Sequence, residues 1–362
     1  MYKALHIVKA LGLGGTEKVM QLMCLGLTGS RFEPSVFSFK DGERADMLRA
    51  GGLQVTVSKK LFEHILALQP DIVHVHRAGW PEPELLRPIC AARLRLSRQG
   101  QPPFQLLETN VFGRHDPSPE AKTLDATLFV SHFCARRFSR LHGIETIPPR
   151  WQVLYNPIDF AAIAQCTAPP HKRDYSRPMV GRVSRADPGK WSALALDWLP
   201  QVCARRPDFR YRIIGGIDMA RQFVQRHGLQ AQVEFLPPFI NDADLAAFLD
   251  GLSVFAHAND TGESFGLVIA EAMAAGLPVV THPAAGERDN AQLELVEHGK
   301  TGLVARNTEE YAAALLWLLE HPQEARRMGE AGREKAGREF AQAIIAAKLA
   351  GIYEDLLKNS KQ

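Results

Sequence analysis

Residues 254–280 read VFAHANDTGESFGLVIAEAMAAGLPVV, and their order of apolar and polar segments indicates the architecture of the chain. An apolar run, Val254–His257, predicts a strand, and the polar loop after it leads into a helical pattern. That helix is predicted to end at Gly276, where a second apolar run predicts another strand. A strand, a helix and a strand in this order are typical of a βαβ unit with parallel strands.

The same alternation continues in both directions from this segment. Amphipathic helical patterns separate the apolar runs, and the last helical stretch extends from about residue 322 to residue 358. The further runs that predict strands lie at 3–9, 33–39, 53–57, 71–76, 104–109, 125–130, 179–183, 209–214, 232–236 and 302–304.

A stretch rich in proline and charge, residues 165–178, interrupts the alternation and predicts a linker between two domains. We therefore predict an α/β protein with two doubly wound, Rossmann-like parallel-sheet domains that face each other across a ligand cleft. The first domain is expected at 1–160 and the second at 178–340, with a C-terminal helix at 341–362.

The composition is that of an ordinary globular protein of 362 residues, with 46% hydrophobic and 23% charged residues. No apolar run approaches the roughly 20 residues that would span a membrane, and the first run is too short for a secretory signal peptide. The five cysteines lie far apart without a CxxC pair, which argues against a disulfide framework or a zinc site. We therefore expect a cytoplasmic protein with reduced thiols.

The net charge of +3 conceals an asymmetry along the chain. Residues 1–150 hold 20 lysines and arginines against 14 aspartates and glutamates, so their net charge is +6. These arginines form either a solvated helix face or a surface for an anionic partner, such as the inner face of a phospholipid membrane. Aromatic residues do not alternate with them, which argues against a nucleic-acid partner. The arginines that cluster on two predicted helices are Arg87, Arg93, Arg95, Arg98, Arg136, Arg137 and Arg140.

A carboxylate and a helix N-terminus follow one another in the loop of the segment quoted first. Glu263 precedes the helix, and the backbone N–H groups of Phe265, Gly266 and Leu267 are expected to be unpaired donors. The helix dipole adds to their attraction for an anion, and a glycine permits close approach of a ligand, as in diphosphate binding. Glu271 follows in an apolar part of the helix, where a carboxylate without a partner would be costly.

The two glutamates and the seven residues between them resemble the motif of the retaining glycosyltransferases of family four, which have the GT-B architecture. In that family the first glutamate contacts the transferred sugar and the second contacts the ribose of the donor nucleotide. The resemblance therefore gives these roles to Glu263 and Glu271. It also implies that the C-terminal helix crosses back to the first domain, which would bind the acceptor, while the second would bind the donor.

A pair of cations opens the second predicted domain, in the sequence VGRVSRADPGKW at 180–191. Arg182 ends a strand and Lys190 stands at the next helix, so the two could neutralise a diphosphate leaving group. The family has an arginine and a lysine at matching places. The turn between them is slightly longer here, which leaves Arg185 as a competing candidate.

Two features of the first domain complete the predicted site. Gly14 and Gly15 lie in the turn after the first strand and resemble a family glycine pair that faces the donor phosphates. Glu17 stands where the dinucleotide-binding fingerprint requires a third glycine, so that fingerprint is absent. His76 lies at the carboxyl end of the strand 71–76 and resembles the family histidine that touches the donor sugar. His74 lies on the same face, deeper in the strand, and is interpreted as structural.

Two further motifs bear on the acceptor and on metal binding. Relatives often place a second histidine where this chain has Asn110, which forms hydrogen bonds but transfers no proton near neutral pH. Residues 242–244 read Asp-Ala-Asp, the form of a metal-binding motif, but they follow Asn241 at a helix start, where capping residues are expected. We therefore predict no catalytic metal and no cofactor, the nucleotide-diphosphate sugar being a co-substrate.

Together these features predict a retaining, metal-independent hexosyltransferase of cell-surface polysaccharide or glycolipid assembly. It would move a hexose-type sugar from a UDP- or GDP-sugar to a glycan or lipid-linked acceptor. The predicted catalytic residues are Glu263, Arg182, Lys190 and His76, with both cations acting on the departing diphosphate. Two alternatives stay open, namely a nucleotide-sugar epimerase of the same architecture and a non-catalytic nucleotide-sugar-binding protein.

Overall fold

The computed structural model describes residues 1–239 and 241–359, and these residues form two compact units. The first unit holds Met1–Pro157 and the C-terminal helix, and the second holds Ile158–Ala341. Each unit contains one parallel sheet with helices between successive strands. The predicted fold class of two doubly wound α/β units is therefore confirmed. The last three residues of the segment predicted as a C-terminal helix, 341–362, lie outside the described residues.

The first unit contains a seven-stranded parallel sheet. Its strands are β1 (Tyr2–Val8), β2 (Phe32–Ser38), β3 (Gln54–Val57), β4 (Ile72–Arg77), β5 (Gln105–Asn110), β6 (Ala126–Phe129) and β7 (Trp151–Val153). They lie in the order β3-β2-β1-β4-β5-β6-β7. The strands β4 and β5 are buried at every position, because helices cover both faces of a parallel sheet. The helices in this part of the chain are α1 (Gly15–Leu27), α2 (Glu43–Ala50), α3 (Leu61–Leu68), α4 (Pro83–Arg98) and α5 (His132–His142), with a 3₁₀ turn at Ala121–Thr123.

The second unit contains a six-stranded parallel sheet. Its strands are β8 (Met179–Val183), β9 (Arg210–Ile214), β10 (Val233–Leu236), β11 (Val254–Ala256), β12 (Val279–Thr281) and β13 (Gly302–Val304). They lie in the order β10-β9-β8-β11-β12-β13.

The helices that follow in the chain complete the fold, and none of the described helices is long and apolar enough to cross a membrane. They are α6 (Phe160–Cys166), α7 (Leu194–Asp197), α8 (Leu199–Arg205), α9 (Asp218–Arg226), α10 (Asp242–Asp250), α11 (Leu267–Ala274), α12 (Gln292–Leu295), α13 (Thr308–Glu320), α14 (Pro322–Glu339) and α15 (Gln342–Asn359), with 3₁₀ turns at Pro170–Lys172 and Pro188–Lys190.

The helical stretch predicted from about 322 to 358 is two helices, α14 and α15. The break falls at Phe340, whose ring packs edge-on against Phe265 with centroids 5.3 Å apart, and whose carbonyl oxygen accepts a hydrogen bond from Ile158 N at 2.9 Å. Beyond the break, α15 packs on α1 in the first unit. A Cβ added to Gly26 of α1 would lie 2.7 Å from the Cβ of Ala346, so this glycine lets the two helices approach closely.

The predicted linker at 165–178 is wrong, because these residues belong to the second unit and the boundary lies at Pro157. Their polar residues are tied to the unit's interior. The buried guanidinium of Arg173 donates to the carbonyl oxygens of Leu249 and Ala275, at 3.0 and 2.8 Å. The hydroxyl of Tyr175 donates to a further carbonyl oxygen at 2.6 Å. The second unit therefore starts before residue 178, and the first ends three residues before 160.

Both sheets have a switch point, where β1 lies beside β4 and β8 lies beside β11. The chain leaves such a pair of strands towards opposite faces of the sheet, so their carboxyl ends border a crevice that is typical of ligand sites. The predicted site residues of each unit lie in or after these four strands, so each switch point is a candidate ligand site.

Candidate active site

A cluster around one carboxylate lies at the switch point of the second sheet. Glu263 stands in the loop after β11, and its Oε1 accepts a hydrogen bond from Lys190 Nζ at 2.9 Å. The same oxygen accepts from Asn259 Nδ2 at 2.8 Å and lies 3.3 Å from His257 Nε2. The structure thus brings two predicted residues, Glu263 and Lys190, into direct contact. It adds His257 and Asn259, which the sequence analysis did not single out.

The environment keeps Glu263 ionised and His257 neutral. Burial acts to raise the pKa of Glu263, but the hydrogen bond with His257 and the charge of Lys190 outweigh burial and lower this pKa to about 2. Burial lowers the pKa of His257, so its ring carries a single proton at pH 7. With the ring proton on Nε2, His257 donates to Glu263, and its Nδ1 accepts from the hydroxyl of Thr281 at 3.0 Å.

The backbone of Glu263 is fixed by a residue from another loop. Its N–H donates to Gln292 Oε1 at 3.1 Å, and its carbonyl oxygen accepts from Ala291 N at 2.9 Å. Gln292 is buried, and its amide also donates to the carbonyl oxygen of His282 at 3.1 Å. Gln292 received no role of its own from the sequence, although it lies in the segment 289–294 that follows the glutamate motif. Its position after β12, the strand beside β11, is the signal that could have found it.

Arg182 is buried beside this cluster and is not exposed to solvent. Only 2% of the residue is exposed, and its guanidinium carbon lies 4.3 Å from the centre of the Trp191 ring. Its terminal nitrogens donate to the carbonyl oxygens of Ala258 and Lys190. Through these bonds Arg182 joins the loop after β11 to the turn that carries Lys190. Direct contact of Arg182 with a diphosphate stays a prediction.

Helix α11 begins directly behind the Glu263 loop. Gly266 is its N-cap with a φ of 104°, and no side chain caps this end of the helix. The first-turn N–H groups, including that of Leu267, therefore lie where an anion is stabilised. The side chain of Phe265 is buried and packs against Phe340, so its ring is part of the core.

Glu271 lies in the second turn of α11, and only 3% of it is exposed. Its neighbours along the helix, from Ile269 to Ala274, are all buried. A carboxylate is costly in such a place unless compensating groups surround it. Its burial therefore argues against a role as a mere solubilising residue, and its contact with ribose stays a prediction.

Three buried histidines lie at the switch point of the first sheet. His6 comes from β1, and His74 and His76 come from β4. His76 Nε2 is 3.0 Å from His6 Nδ1, with ring centroids 5.3 Å apart and ring planes 18° apart. These values fit two rings in line that share a hydrogen bond. The potential ligand atoms of the three residues lie within 4.8 Å of one another, but nitrogens that face each other in line do not converge on one metal ion.

A chain of hydrogen bonds links these rings to the C-terminal helix. The hydroxyl of Tyr353 in α15 lies 3.3 Å from His6 Nε2 and 2.7 Å from His74 Nδ1. The chain ends at Thr109, whose Oγ1 lies 2.8 Å from His74 Nε2. Burial lowers the pKa of all three histidines, that of His6 to about 3, so the rings are neutral at pH 7.

The chain therefore has two proton arrangements, because each neutral ring carries one N–H and each hydroxyl donates once. At the other end, Nδ1 of His76 is buried and has no hydrogen-bond partner among residues 1–239 and 241–359. This Nδ1 is a hydrogen-bond donor in one arrangement and an acceptor in the other. His76 was expected in the site and His74 in the core, and both belong to the same chain of hydrogen bonds. Contact of His76 with a donor sugar stays a prediction.

Gly14 and Gly15 lie at the start of α1. Gly14 is the N-cap, without a side-chain hydrogen bond, and the helix begins at Gly15. A Cβ added to Gly14 would lie 2.3 Å from Glu17 Oε2, so the carboxylate of Glu17 occupies the space that a larger residue would need. Contact with a donor phosphate stays a prediction for both glycines.

The Asp-Ala-Asp sequence at 242–244 forms the first turn of α10. The side chain of Asn241 accepts a hydrogen bond from the backbone N–H of Asp244 at 2.9 Å, which is the geometry of a helix cap. The interpretation of this sequence as a capped helix start is confirmed.

A protein-family model matches most of the second unit. Residues 168–335, which carry the Lys190–Glu263 cluster and α11, match the family model described as "Glycosyl transferases group 1". This part of the chain is therefore similar to the glycosyl transferases of group 1. The resemblance stated from the glutamate motif is thereby confirmed.

Curated relatives extend the match. A phosphatidyl-myo-inositol mannosyltransferase of Mycobacterium leprae is 34% identical over 170 residues, which are 46% of this chain and 44% of that protein. A GDP-mannose-dependent alpha-(1-6)-phosphatidylinositol monomannoside mannosyltransferase of Mycobacterium tuberculosis is 31% identical over 240 residues, 62% of this chain and 60% of that protein. The chain thus spans about half the length of the curated relatives that it matches.

Solved structures share the fold over nearly the whole chain. A glycosyltransferase from Rickettsia africae has a TM-score of 0.78 at 17% identity and covers 99% of both chains. HepE of Anabaena, solved in complex with UDP and glucose, has a TM-score of 0.73 at 19% identity and covers 98% of this chain and 100% of its own. At these identities the likeness establishes the fold, and it includes the first unit, which the family model does not reach.

Proposed function

We propose that the chain is a retaining hexosyltransferase that moves a hexose-type sugar from a nucleotide-diphosphate sugar to a glycan or lipid-linked acceptor. The observation that carries the proposal is the Lys190–Glu263 pair, which lies at a switch point beside the uncapped start of α11. A cation and free N–H groups suit a diphosphate. A carboxylate suits the hydroxyl groups of a sugar, because it accepts hydrogen bonds only.

In the proposed reaction, the bond between the anomeric carbon and the diphosphate oxygen breaks. Negative charge then builds on the departing diphosphate, where Lys190 and the first-turn N–H groups of α11 stabilise it. The acceptor hydroxyl attacks from the face that the diphosphate leaves, so the configuration is retained. Its oxygen forms the new bond, and its proton passes to the diphosphate.

The remaining residues of the second unit have supporting roles in this proposal. Glu263 holds hydroxyl groups of the transferred sugar, and Glu271 holds those of the ribose. Arg182 fixes the turn of Lys190 through its bond to the carbonyl oxygen of that residue. Arg185 is exposed in the same turn and is the alternative second cation for the diphosphate.

The names of relatives support the proposed donor and acceptor classes. One relative is named for GDP-mannose and for phosphatidylinositol monomannoside, and HepE was solved with UDP and glucose. We therefore propose a UDP- or GDP-sugar as donor, a glycolipid or glycan as acceptor, and transfer without a metal ion.

We also propose a peripheral contact of the first unit with an anionic membrane at its cytoplasmic face. Arg95 and Arg98 of α4 are exposed and available for it. Arg87 and Arg93 on the same helix instead pair with acidic side chains at 2.8 and 2.7 Å. Because a basic residue near a membrane contributes about 1 kcal/mol, two free arginines give a weak contact that needs the acceptor lipid as a second attachment.

The test is product formation by the full chain with a panel of UDP- and GDP-sugars, with EDTA present, and with and without phosphatidylinositol vesicles or glycan acceptors. We expect an acceptor-dependent product with retained configuration. The Glu263→Gln variant should lose it, and the exposed control Glu334→Gln should keep it. An epimerised donor formed without acceptor would favour the epimerase instead, and nucleotide binding without any product would leave a binding protein.

A further inference from the structure

Two exposed aromatic residues stand side by side at the carboxyl edge of the first sheet. Trp80 follows β4 and Phe112 follows the neighbouring strand β5, and they are 46% and 38% exposed. Their ring centroids lie 6.0 Å apart, with an angle of 36° between the planes. Adjacent exposed aromatic rings at a sheet edge that is typical of ligand sites indicate an interaction surface.

An unpaired cation accompanies the two rings. The guanidinium carbon of Arg114 lies 5.2 Å from the centre of the Trp80 ring. Within residues 1–239 and 241–359, Arg114 has no ion pair, and its Nε is buried without a hydrogen-bond partner. Trp80, Phe112 and Arg114 are called the aromatic platform below.

A buried arginine fixes the loop of Trp80 from beneath. The guanidinium of Arg77 is almost completely buried, and it donates to Glu108 at 2.5 Å and to Asp116 at 2.7 Å. It also donates to the carbonyl oxygen of Trp80 at 2.7 Å. The charge of Arg77 is thus compensated internally, which leaves Arg114 as the cation available to a ligand.

The second loop is fixed by Asn110. Its Nδ2 donates to the carbonyl oxygen of Arg114 at 2.8 Å, and its Oδ1 accepts from the N–H of Arg114 at 3.1 Å. The two loops also meet closely. Gly79 has a φ of 98°, and a Cβ on it would lie 2.2 Å from Asn110 Oδ1. The buried residue Arg137 adds a bond to the carbonyl oxygen of Phe112 at 2.6 Å.

Buried polar side chains therefore hold the two exposed rings and the half-buried Arg114 in a fixed arrangement, which is the construction expected of a binding site. We propose that the aromatic platform binds the acceptor, and that this acceptor is a sugar or cyclitol ring that carries a phosphate. The apolar face of the ring stacks on Trp80 and Phe112, and Arg114 pairs with the phosphate. This inference rests on the proposed function and names the acceptor class for it.

The test measures binding of soluble ring phosphates to the full chain by titration calorimetry. The probes are inositol 1-phosphate and glucose 1-phosphate, compared with inositol, glucose and inorganic phosphate. We expect the ring phosphates to bind at least tenfold more tightly than either part alone. Arg114→Gln should weaken their binding by roughly 10- to 100-fold, the range of a charge-assisted bond. Trp80→Ala should weaken it by roughly tenfold.

Matched controls separate these effects from general damage to the fold. Arg31→Gln removes another exposed arginine of the first unit, and Leu94→Ala removes an exposed apolar side chain of α4. Both should bind the ring phosphates like the original chain. Unchanged ring-phosphate affinity in Arg114→Gln and Trp80→Ala would overturn the inference. Binding of UDP or GDP that depends on Trp80 would also overturn it, because the platform would then stack a nucleotide base.

Vesicles identify the source of the ring phosphate. Phosphatidylcholine vesicles that contain phosphatidylinositol should displace inositol 1-phosphate if the acceptor is a lipid headgroup. Pure phosphatidylcholine vesicles serve as the control. Lack of displacement assigns a soluble sugar phosphate, and both results support the platform.

Turnover separates this inference from the proposed function. If the chain transfers sugar and the platform variants keep the acceptor KM of the original chain, only the inference on the platform fails. If no donor is ever consumed while ring phosphates bind through Trp80 and Arg114, the platform stands and the proposed transferase activity fails.

Discussion

We expect the Glu263→Gln substitution to lower the free energy of unfolding of the chain by roughly 1–3 kcal/mol at pH 7. The pKa of Glu263 falls from 4.5 to about 2 on folding, and at 1.36 kcal/mol for each pH unit this corresponds to about 3 kcal/mol. The glutamine keeps an acceptor for Asn259 and His257, and Lys190 is 22% exposed and can turn to solvent, so the loss should lie below that bound.

The pH dependence of this difference has a definite sign. Because the pKa of Glu263 is depressed in the folded state, its contribution is complete above pH 4.5 and is lost as the pH falls through about 2. Urea unfolding of both proteins at several pH values from 7 to 3 measures the difference. It should be constant down to about pH 5 and fall by roughly half near pH 3.

A matched variant tests whether the effect belongs to the cluster. Glu334→Gln changes a glutamate whose side chain is 78% exposed, and should change the free energy of unfolding by less than about 0.5 kcal/mol. Equal stability of Glu263→Gln and the original chain at pH 7 would refute the reasoning. A difference that grows towards low pH would refute it as well, since a depressed pKa cannot produce that sign.

Three further substitutions address the two switch points. Lys190→Gln should lower kcat by roughly 100- to 1000-fold in steady-state kinetics, because the negative charge on the departing diphosphate is no longer stabilised by a cation. The control is Lys300→Gln, which changes a lysine whose side chain is 63% exposed. A change in KM alone would contradict the assignment. Tyr353→Phe should lower the free energy of unfolding by roughly 1–3 kcal/mol, because the hydrogen bonds to His6 Nε2 and His74 Nδ1 are both lost. NMR spectra of the same variant test the hydrogen bonds directly. Imidazole nitrogen chemical shifts that do not change would show that the chain of hydrogen bonds does not exist. Gly266→Ala should lower the free energy of unfolding by roughly 1–2 kcal/mol and weaken nucleotide binding, because a φ of 104° is strained for alanine. The control is Gly12→Ala, because a Cβ at Gly12 would meet no described atom within 4 Å. This control should keep both the stability and the nucleotide affinity of the original chain.

Periodicity predicted the sheets well because each strand is an apolar run of about the right length. It missed β7, which has three residues, all of them half-buried, and therefore lacks an apolar run. It also joined α14 and α15, because neither glycine nor proline marks the break. The contacts of Phe340 with Phe265 and Ile158 end the first helix there, and such tertiary contacts leave no local signal.

The candidate site was predictable where a motif placed residues in sequence, and not where folding joined separate loops. Glu263 was expected in the loop before one helix and Lys190 at the start of another, and the parallel neighbours β8 and β11 bring them together. Gln292 and Asn259 were given no role, because their hydrogen bonds to the backbone N–H and to Oε1 of Glu263 form only between the folded loops. Arg182 was expected at the diphosphate, and its spacing from Lys190 gave no indication that its nitrogens bind main-chain oxygens.

The two switch points handle buried polar groups in different ways, and this has a consequence for neutral pH. The cluster of the second unit contains one anion and one cation, with His257 kept neutral because burial outweighs its contact with Glu263. The chain of the first unit contains no charge, because burial keeps its three imidazoles neutral. Each of these shifts lowers the pKa of Glu263 or of a histidine, and so moves it further from pH 7. Above its pKa an imidazole is neutral and a carboxyl group is ionised. Both clusters therefore keep one charge state across neutral pH. If the proposed transfer changes in rate near pH 7, we therefore expect the cause to lie in the substrates or in groups outside the two clusters.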